Sequence, residues 1–248
     1  MDDVAIIRHG RWLVVRVRLA LLLLALALIA AFVSLGRWQL QRAGDKQQML
    51  DAVAEALERK QAQALDSVAA STNGGYVWVS GRGRFRPAPV LLLDNQRRGN
   101  QVGVRVFGLF QPTRGPTLLV DLGWLPLSGD RRLPRIDLPA GEQALAGLMT
   151  PPPSSGIALG PAYVVTDSGQ WLLTRVDTSA LSEGLQIRLA PRILRLDPAL
   201  PLGYARDLDV LPNTLPPERH RGYALQWFGL ALAVLLLALI FAFRRRQP

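Results

Sequence analysis

The sequence contains no cysteine among its 248 residues, and methionine and histidine are scarce. The absence of cysteine excludes disulfides, thiolate metal ligands and a cysteine nucleophile. Methionine occurs only at Met1, Met49 and Met149, which disfavours a thioether copper site. His9 and His220 are therefore the only imidazole groups available as bases or metal ligands.

The chain also lacks the short motifs of common enzymes. It has no Gly-x-Ser-x-Gly elbow and no phosphate loop, and Gly81-Arg82-Gly83 lacks the third glycine of a dinucleotide fingerprint. Asp94 and Asp121 stand at expected strand ends, where Asp commonly closes turns by accepting hydrogen bonds from backbone N–H groups. The sequence predicts no enzyme, and a membrane-tethered hydrolase using Asp94, Asp121 and His220 is kept as a distant alternative.

Two long runs carry no charge, residues 19–36 and 222–243. Each is close to the roughly 20 residues that cross a bilayer core. Basic residues stand outside both runs, at Arg16 and Arg18 and at 244–246, so the positive-inside rule predicts cytoplasmic termini and a translocated middle segment. The net charge of +10 then has a topological meaning, and nucleic acid is not an expected partner.

The first apolar run has one further interpretation, a cleaved signal peptide. The apolar core of a signal peptide is usually about 7 to 15 residues, shorter than this run. An uncleaved anchor is favoured, and cleavage after Ala27 or Ser34 remains open.

The residues between the two runs change in pattern near residue 74. Before it, Met49, Val53, Ala56 and Leu57 recur at helical spacing and predict an amphipathic extension. After it, alternating patterns and turn signals predict strands with no helix between most of them, which favours an antiparallel barrel or sandwich. The predicted strands are 76–85, 90–93, 102–110, 117–125, 143–149, 163–165, 170–173 and 185–196, with one short helix at 177–184.

The predicted fold is an α+β membrane protein in which two transmembrane helices bracket an extracytoplasmic, antiparallel β-rich domain that is barrel- or sandwich-like. The proline-rich stretch 197–217 is either a plain linker or a packed loop that fixes the return to the membrane. The predicted segments are a cytoplasmic N-terminus (1–18), a first transmembrane helix (19–36), the amphipathic extension (37–73), a periplasmic β-rich domain with the proline-rich return loop (74–217), a second transmembrane helix with a periplasmic lip (218–243) and a cytoplasmic tail (244–248).

His220 lies at the lip of the second apolar run. Tyr223 and Trp227 follow it by three and seven residues, so a helix places all three on roughly one face. Tyr and Trp gather at membrane interfaces and Arg219 and Arg221 are ordinary anchors there, so a purely anchoring role is open. In the other interpretation, His220 is an axial ligand of haem iron, the arginines pair with propionates, and Tyr223 and Trp227 line the macrocycle.

Five short patterns occur in order between the two runs and at their edges. The patterns are Leu35-Gly-x-Trp38-Gln39-x-x-Arg42-x-x-x-Lys46, Gly81-x-Gly83-x-Phe85 with Leu93-x-Asn95 and Gly103, Leu119-Val120-Asp121-x-Gly123-Trp124-Leu125-Pro126, Pro212-Asn213, and His220-x-x-Tyr223-x-x-x-Trp227-Phe228. In these patterns the chain resembles the surfeit locus protein 1 family, assembly factors for haem–copper cytochrome c oxidase. In the third pattern, Leu122 occupies a position where this family often has arginine, so no charge-based role is assigned there.

The resemblance implies a non-enzymatic role in maturing oxidase subunit I, with haem a delivery or insertion as the expected step. The alternative is a cofactor-free membrane chaperone that stabilises the subunit I assembly intermediate. Some bacterial members are associated with haem a through the histidine that His220 matches, whereas roles for Arg219, Arg221, Tyr223 and Trp227 rest on proximity alone. The expected partners are subunit I, other oxidase assembly factors and the lipid bilayer, and the expected location is a bacterial inner membrane.

Overall fold

The computed structural model describes residues 2–71, 75–153, 160–210 and 215–243, with side chains from residue 16 onward. Residues 1–49 together with 214–248 form one compact unit, and residues 50–213 form another. The Pro212-Asn213 pattern and the tail at 244–248 lie outside the described residues. The helices are α1 (Asp2–Arg59), α2 (Leu65–Ala69), α3 (Thr178–Leu185) and α4 (Pro217–Phe243), and the strands are β1 (Gln63–Ala64), β2 (Val77–Phe85), β3 (Leu91–Arg98), β4 (Gln101–Pro112), β5 (Thr117–Pro126), β6 (Glu142–Thr150), β7 (Tyr163–Val165), β8 (Trp171–Leu173) and β9 (Leu189–Leu196).

The first unit is an antiparallel pair formed by α4 and the part of α1 up to Met49. The guanidinium carbon of Arg18 lies 5.7 Å from the ring centroid of Phe241, and at the other end His220 contacts Gln39. On α1 the less exposed positions recur at alternating spacings of three and four residues, which is the seam of a helix pair. Gly36 lies on this seam, and a Cβ there would come within 2.7 Å of the Phe228 ring, so glycine allows the two helices to approach closely.

Both helices of this pair are long and apolar enough to cross a membrane, judged by length and composition. The candidate spans are Arg16–Arg59 and Pro217–Phe243. Most of their apolar side chains are exposed, because the seam covers only one face of each helix.

α1 ends earlier than the predicted extension to residue 73. Lys60 has a φ of 40°, a left-handed conformation that stops the helix, and its Nζ lies 4.8 Å from the centroid of the Trp78 ring. Residues 61–65 contain good helix formers, so the local sequence gives no stop signal. Instead Gln63 and Ala64 pair in parallel with Val79 and Ser80 of β2, and this tertiary pairing overrides the helical propensity.

The described strands of the second unit form one nine-stranded sheet in the order β1-β2-β6-β9-β5-β4-β3-β8-β7. β2 pairs with β4 as well as with β6, so β2, β6, β9, β5 and β4 form a closed ring of hydrogen-bonded neighbours. Gly83 lies at the β2–β4 contact, where a Cβ would collide with the carbonyl oxygen of Gln111. The absence of a side chain at Gly83 therefore permits the closure.

The prediction of an antiparallel sheet is wrong in part, because the sheet is mixed. Three strand pairs are parallel: β1 with β2, β3 with β8, and β5 with β9. β5 and β9 are separated in sequence by β6, β7, β8 and α3, and a long crossover of this kind lets two strands pair in parallel. Turn signals along the chain report only neighbouring strands, so this pairing was not predictable from them.

Apolar side chains from all five ring strands fill the inside of the ring. Phe85, Phe110 and Met149 are among them, and Leu122 packs there as well, which gives this residue a core role and no electrostatic one. α3 and β8 cover another face of the sheet through Leu181 and Leu173. β5 is therefore buried along most of its length, as strands covered on both sides are.

A buried ion network links β4, β5 and β9. Oδ2 of Asp121 accepts a hydrogen bond of 2.8 Å from Arg105 and lies 3.6 Å from Nε of Arg195, while Oδ1 accepts the backbone N–H of Gly123 at 3.1 Å. Burial lowers the pKa of the Arg195 guanidinium, and the charge of Asp121 acts in the opposite direction. The network therefore depends on the carboxylate of Asp121.

The described part of the proline-rich stretch, residues 197–210, is a packed loop. Arg195 donates to the backbone oxygens of Asp207 and Asp209, and the N–H of Trp124 donates to Ala205. Arg206 in turn donates to the backbone oxygens of Asp197, Leu200 and Tyr204. This part is therefore packed on the sheet domain and is not a plain linker.

We expect Asp121→Asn to lower the free energy of unfolding by about 3 kcal/mol, because it leaves the buried Arg195 and the partly buried Arg105 without their shared carboxylate. The midpoint of thermal unfolding, followed by tryptophan fluorescence in detergent, measures the loss. The matched control is Glu142→Gln, whose ion pair with Arg82 is exposed, and its expected change is about 0.5 kcal/mol or less. Equal shifts in the two variants would show that the Asp121 network does not stabilise the domain.

Candidate functional site

The candidate site is centred on His220, in the first turns of α4. Pro217 opens the helix, a position that tolerates proline because its missing N–H would be unpaired there, and the acidic Glu218 follows in the first turn. This start places His220 on the face of α4 that packs against α1. The residue is only 7% exposed.

Gln39 of α1 fixes the His220 ring. Nδ1 of His220 lies 2.7 Å from Oε1 of Gln39, although 181 residues separate them in the chain. A carboxamide oxygen only accepts hydrogen bonds, so Nδ1 carries the proton and donates it. If the Gln39 amide were turned around, its amino group would donate to Nδ1 of His220, and the ring proton would be on Nε2. Nε2 is buried and has no acceptor, so this arrangement has the higher free energy. The contact therefore favours the tautomer with a free lone pair on Nε2.

Nε2 of His220 is buried and has no hydrogen-bond partner among the residues that the structure describes. A buried nitrogen with an unused lone pair is the donor that haem iron takes from a histidine. The site fits a haem on this criterion. Because the atom is covered, neighbouring side chains have to move before a ligand reaches it.

The other predicted site residues divide into two groups. Trp227 is half-buried and stacks on Phe32 of α1, with ring centroids 5.7 Å apart, so it lies on the same face as His220. Tyr223 is 39% exposed, and Arg219 and Arg221 are exposed. The helix pair thus brings His220 and Trp227 to one seam and leaves Tyr223 and the two arginines outside it.

Sequence reasoning did not identify two residues of the site, Gln39 and Phe32. Gln39 was present in the first pattern without an assigned role, and Phe32 was read only as part of an apolar run. Phe32, Gly36, Gln39 and Ala43 follow spacings of four, three and four residues, which is the signal that could have placed them on one seam.

The hydrolase alternative finds no support in the positions of its carboxylates. Asp94 accepts two hydrogen bonds of 2.8 Å from Arg131 and one from the backbone of Asn95, and Asp121 pairs with Arg105. Both carboxylates thus have structural partners. Across the described residues, no group of three or more His, Cys, Asp or Glu side chains is arranged to hold a metal ion.

Two long apolar helices thus flank a mixed-sheet domain, and one buried histidine lies on the seam between the helices. The model of the SURF1 family matches residues 26–232, most of the chain, and the protein belongs to this family. The family is associated with cytochrome oxidase assembly and is not known to be enzymatic. No curated protein matches the chain closely enough to be reported as a relative. The matched range includes both Gln39 and His220, and the resemblance inferred from the five patterns is confirmed.

Proposed function

We propose that this protein is a membrane assembly factor that holds haem a for subunit I of haem–copper cytochrome c oxidase. The family supplies the oxidase context. The observation that carries the haem part is the buried, unpartnered Nε2 of His220, in a ring oriented by Gln39. His220 would hold haem a through this nitrogen, and the haem would supply the iron that accepts it.

Each residue of the candidate site has a separate role in this proposal. Gln39 accepts the Nδ1 proton in a hydrogen bond and orients Nε2 toward the ligand position, as the hydrogen-bond acceptors behind metal-bound histidines do. Trp227 and Phe32 form a stacked, apolar aromatic surface on the same seam, which suits the flat face of a macrocycle. Arg219 and Arg221, exposed on either side of His220 in the sequence, are the candidates for propionate contacts, and Tyr223 is a candidate for the rim.

The dimensions of the helix pair support a position at the membrane surface. Gln39 follows Arg18 by 21 residues, about 32 Å along a helix. This length is close to the roughly 30 Å of a bilayer core. With Arg18 at one surface, the His220–Gln39 pair lies at the other. In the bacterial inner membrane that we propose, the positive-inside rule supports cytoplasmic termini, a periplasmic position for this second surface and a periplasmic sheet domain.

One observation favours a second candidate, a chaperone of the subunit I intermediate that binds no cofactor. Nε2 is covered by its neighbours, and a histidine that only closes a helix seam would be covered in the same way. In this candidate the Gln39–His220 contact stabilises the helix pair, and the expected partner is still subunit I.

The two candidates differ in the haem a content of the oxidase. In a strain that lacks this protein, we expect the haem a content per subunit I to fall severalfold, measured on oxidase purified at a constant level of subunit I. A normal haem content with less assembled oxidase would favour the cofactor-free chaperone. Complementation with the wild-type chain is the control.

A further inference from the structure

A basic concavity lies at one end of the sheet domain. It has a volume of about 540 Å³, and Arg86 and Arg188 are among its lining residues. The end of β2, the turn between β4 and β5, and the residues between α3 and β9 surround it. Its remaining walls are partly apolar, with Pro116 and Ile187 among them.

Two further arginines flank this basic concavity. Arg84 lies on β2, two residues before Arg86, and pairs across the sheet with Gln111, a lining residue. Arg114 precedes the lining residue Gly115 in the β4–β5 turn. None of these four arginines forms an ion pair with a carboxylate in the part of the chain that the structure describes. Other arginines of the domain do, as Arg131 does with Asp94.

The wall between these arginines is fixed by hydrogen bonds. Thr117 is buried and donates to Oε1 of Gln111 at 2.8 Å. Nε2 of Gln111 donates to the carbonyl oxygens of Gly115 at 3.1 Å and Pro112 at 3.3 Å. The turn that carries Arg114 is therefore tied to β4, and Arg84 and Arg86 extend from a paired strand. The backbone at Arg84 and Arg114 is therefore fixed before an anion binds, so no entropy is lost in ordering it.

We propose that the basic concavity binds an acidic segment of a partner protein. Guanidinium groups bind carboxylates through paired hydrogen bonds, and the unpaired arginines are charge-complementary to such a segment. Arg84 and Arg86 are two residues apart on a strand, about 6.6 Å, a spacing that alternate carboxylates of an extended chain also have. The apolar wall at Pro116 and Ile187 contacts the aliphatic parts of the same segment.

The surroundings disfavour a compact anion such as phosphate. The C-terminal ends of α2 and α3, at Ala70 and Gln186, border the concavity, and helix C-termini repel negative charge. Carboxylates spaced along a chain reach the arginines at the rim and avoid these ends. The proposal is independent of haem binding.

The test uses the full chain in nanodiscs of phosphatidylcholine, which carry no net charge. The probe is a fluorescein-labelled peptide of alternating Glu and Ala, with the Gln–Ala peptide as the uncharged comparison, and binding is followed by fluorescence anisotropy. We expect the double variant Arg86→Gln/Arg188→Gln to bind the acidic peptide about tenfold more weakly. The matched control Arg97→Gln/Arg135→Gln removes the same charge from exposed arginines that do not line the concavity, and its expected loss is about threefold or less.

Three results would overturn the proposal. One is an equal loss in the two double variants, which would mean that net charge alone attracts the peptide. Another is efficient displacement of the peptide by inorganic phosphate, and the third is binding of phosphatidylglycerol vesicles through Arg86 and Arg188 with no binding of the peptide. Unfolding midpoints identify any variant that fails to fold. In that case Arg86→Glu/Arg188→Glu is tested with a Lys–Ala peptide, and failure of this reversed charge pair to bind it also contradicts the proposal.

Discussion

Replacing His220 with alanine is expected to remove haem a from the purified protein. After co-expression with the enzymes of haem A synthesis, the haem content per chain should fall by about tenfold or more, with loss of the Soret band, because the axial bond disappears. The matched control is His9→Ala, which removes the other histidine of the chain. An unchanged haem content and Soret spectrum in His220→Ala would contradict the ligand assignment.

Adding free imidazole to His220→Ala distinguishes the loss of an iron ligand from damage to the fold. The alanine leaves room for one imidazole ring at the seam, so adding imidazole to His220→Ala should restore part of the Soret band if Nε2 is the ligand. Co-purification of subunit I provides the second measurement. Retained subunit I with lost haem supports the haem-holding function, whereas lost subunit I and a wild-type protein that never contains haem support the cofactor-free chaperone.

The helices at the two ends of the chain were predictable because uncharged runs of this length have few other uses. Most strands were also predictable, since alternating residues and turn signals are local properties of the sequence. The structure places β2 at Val77–Phe85 and β5 at Thr117–Pro126, close to the predicted 76–85 and 117–125. Local patterns, however, do not record which distant strands pair, and the parallel β5–β9 contact depends on the packing of the ring interior.

The candidate site was only half predictable for the same reason. His220 was identifiable because the chain has just two histidines and this one stands at the end of an apolar run. Gln39 was not, because glutamine after a membrane helix is common and its meaning depends on a partner 181 residues away. A search for matched three-and-four spacings on the two long helices would have connected them.

Replacing Gln39 with leucine is expected to release the His220 ring and weaken haem binding. Leucine cannot accept the Nδ1 proton, so the preference for the tautomer with a free Nε2 is lost. Loss of the hydrogen-bond acceptor behind a metal-binding histidine reduces metal affinity by about 10- to 100-fold. Haem titration monitored at the Soret band measures the affinity. Gln41→Leu is the matched control, because Gln41 is exposed on the same helix and does not contact His220.

The tautomer itself can be measured without haem, which separates this prediction from the proposed function. With only two histidines in the chain, ¹⁵N-histidine labelling gives two ring systems, and His9→Ala assigns them. We expect a protonated Nδ1 and an unprotonated Nε2 for His220 in the wild type and in Gln39→Glu, which keeps an acceptor, and a mixture of tautomers in Gln39→Leu. If His220 has the same tautomer in Gln39→Leu as in the wild type, Gln39 does not orient the ring. If the tautomer changes in Gln39→Leu while neither the wild type nor any variant binds haem, Gln39 orients the ring but the haem function is contradicted. The contact between Gln39 and His220 would then only join the two helices.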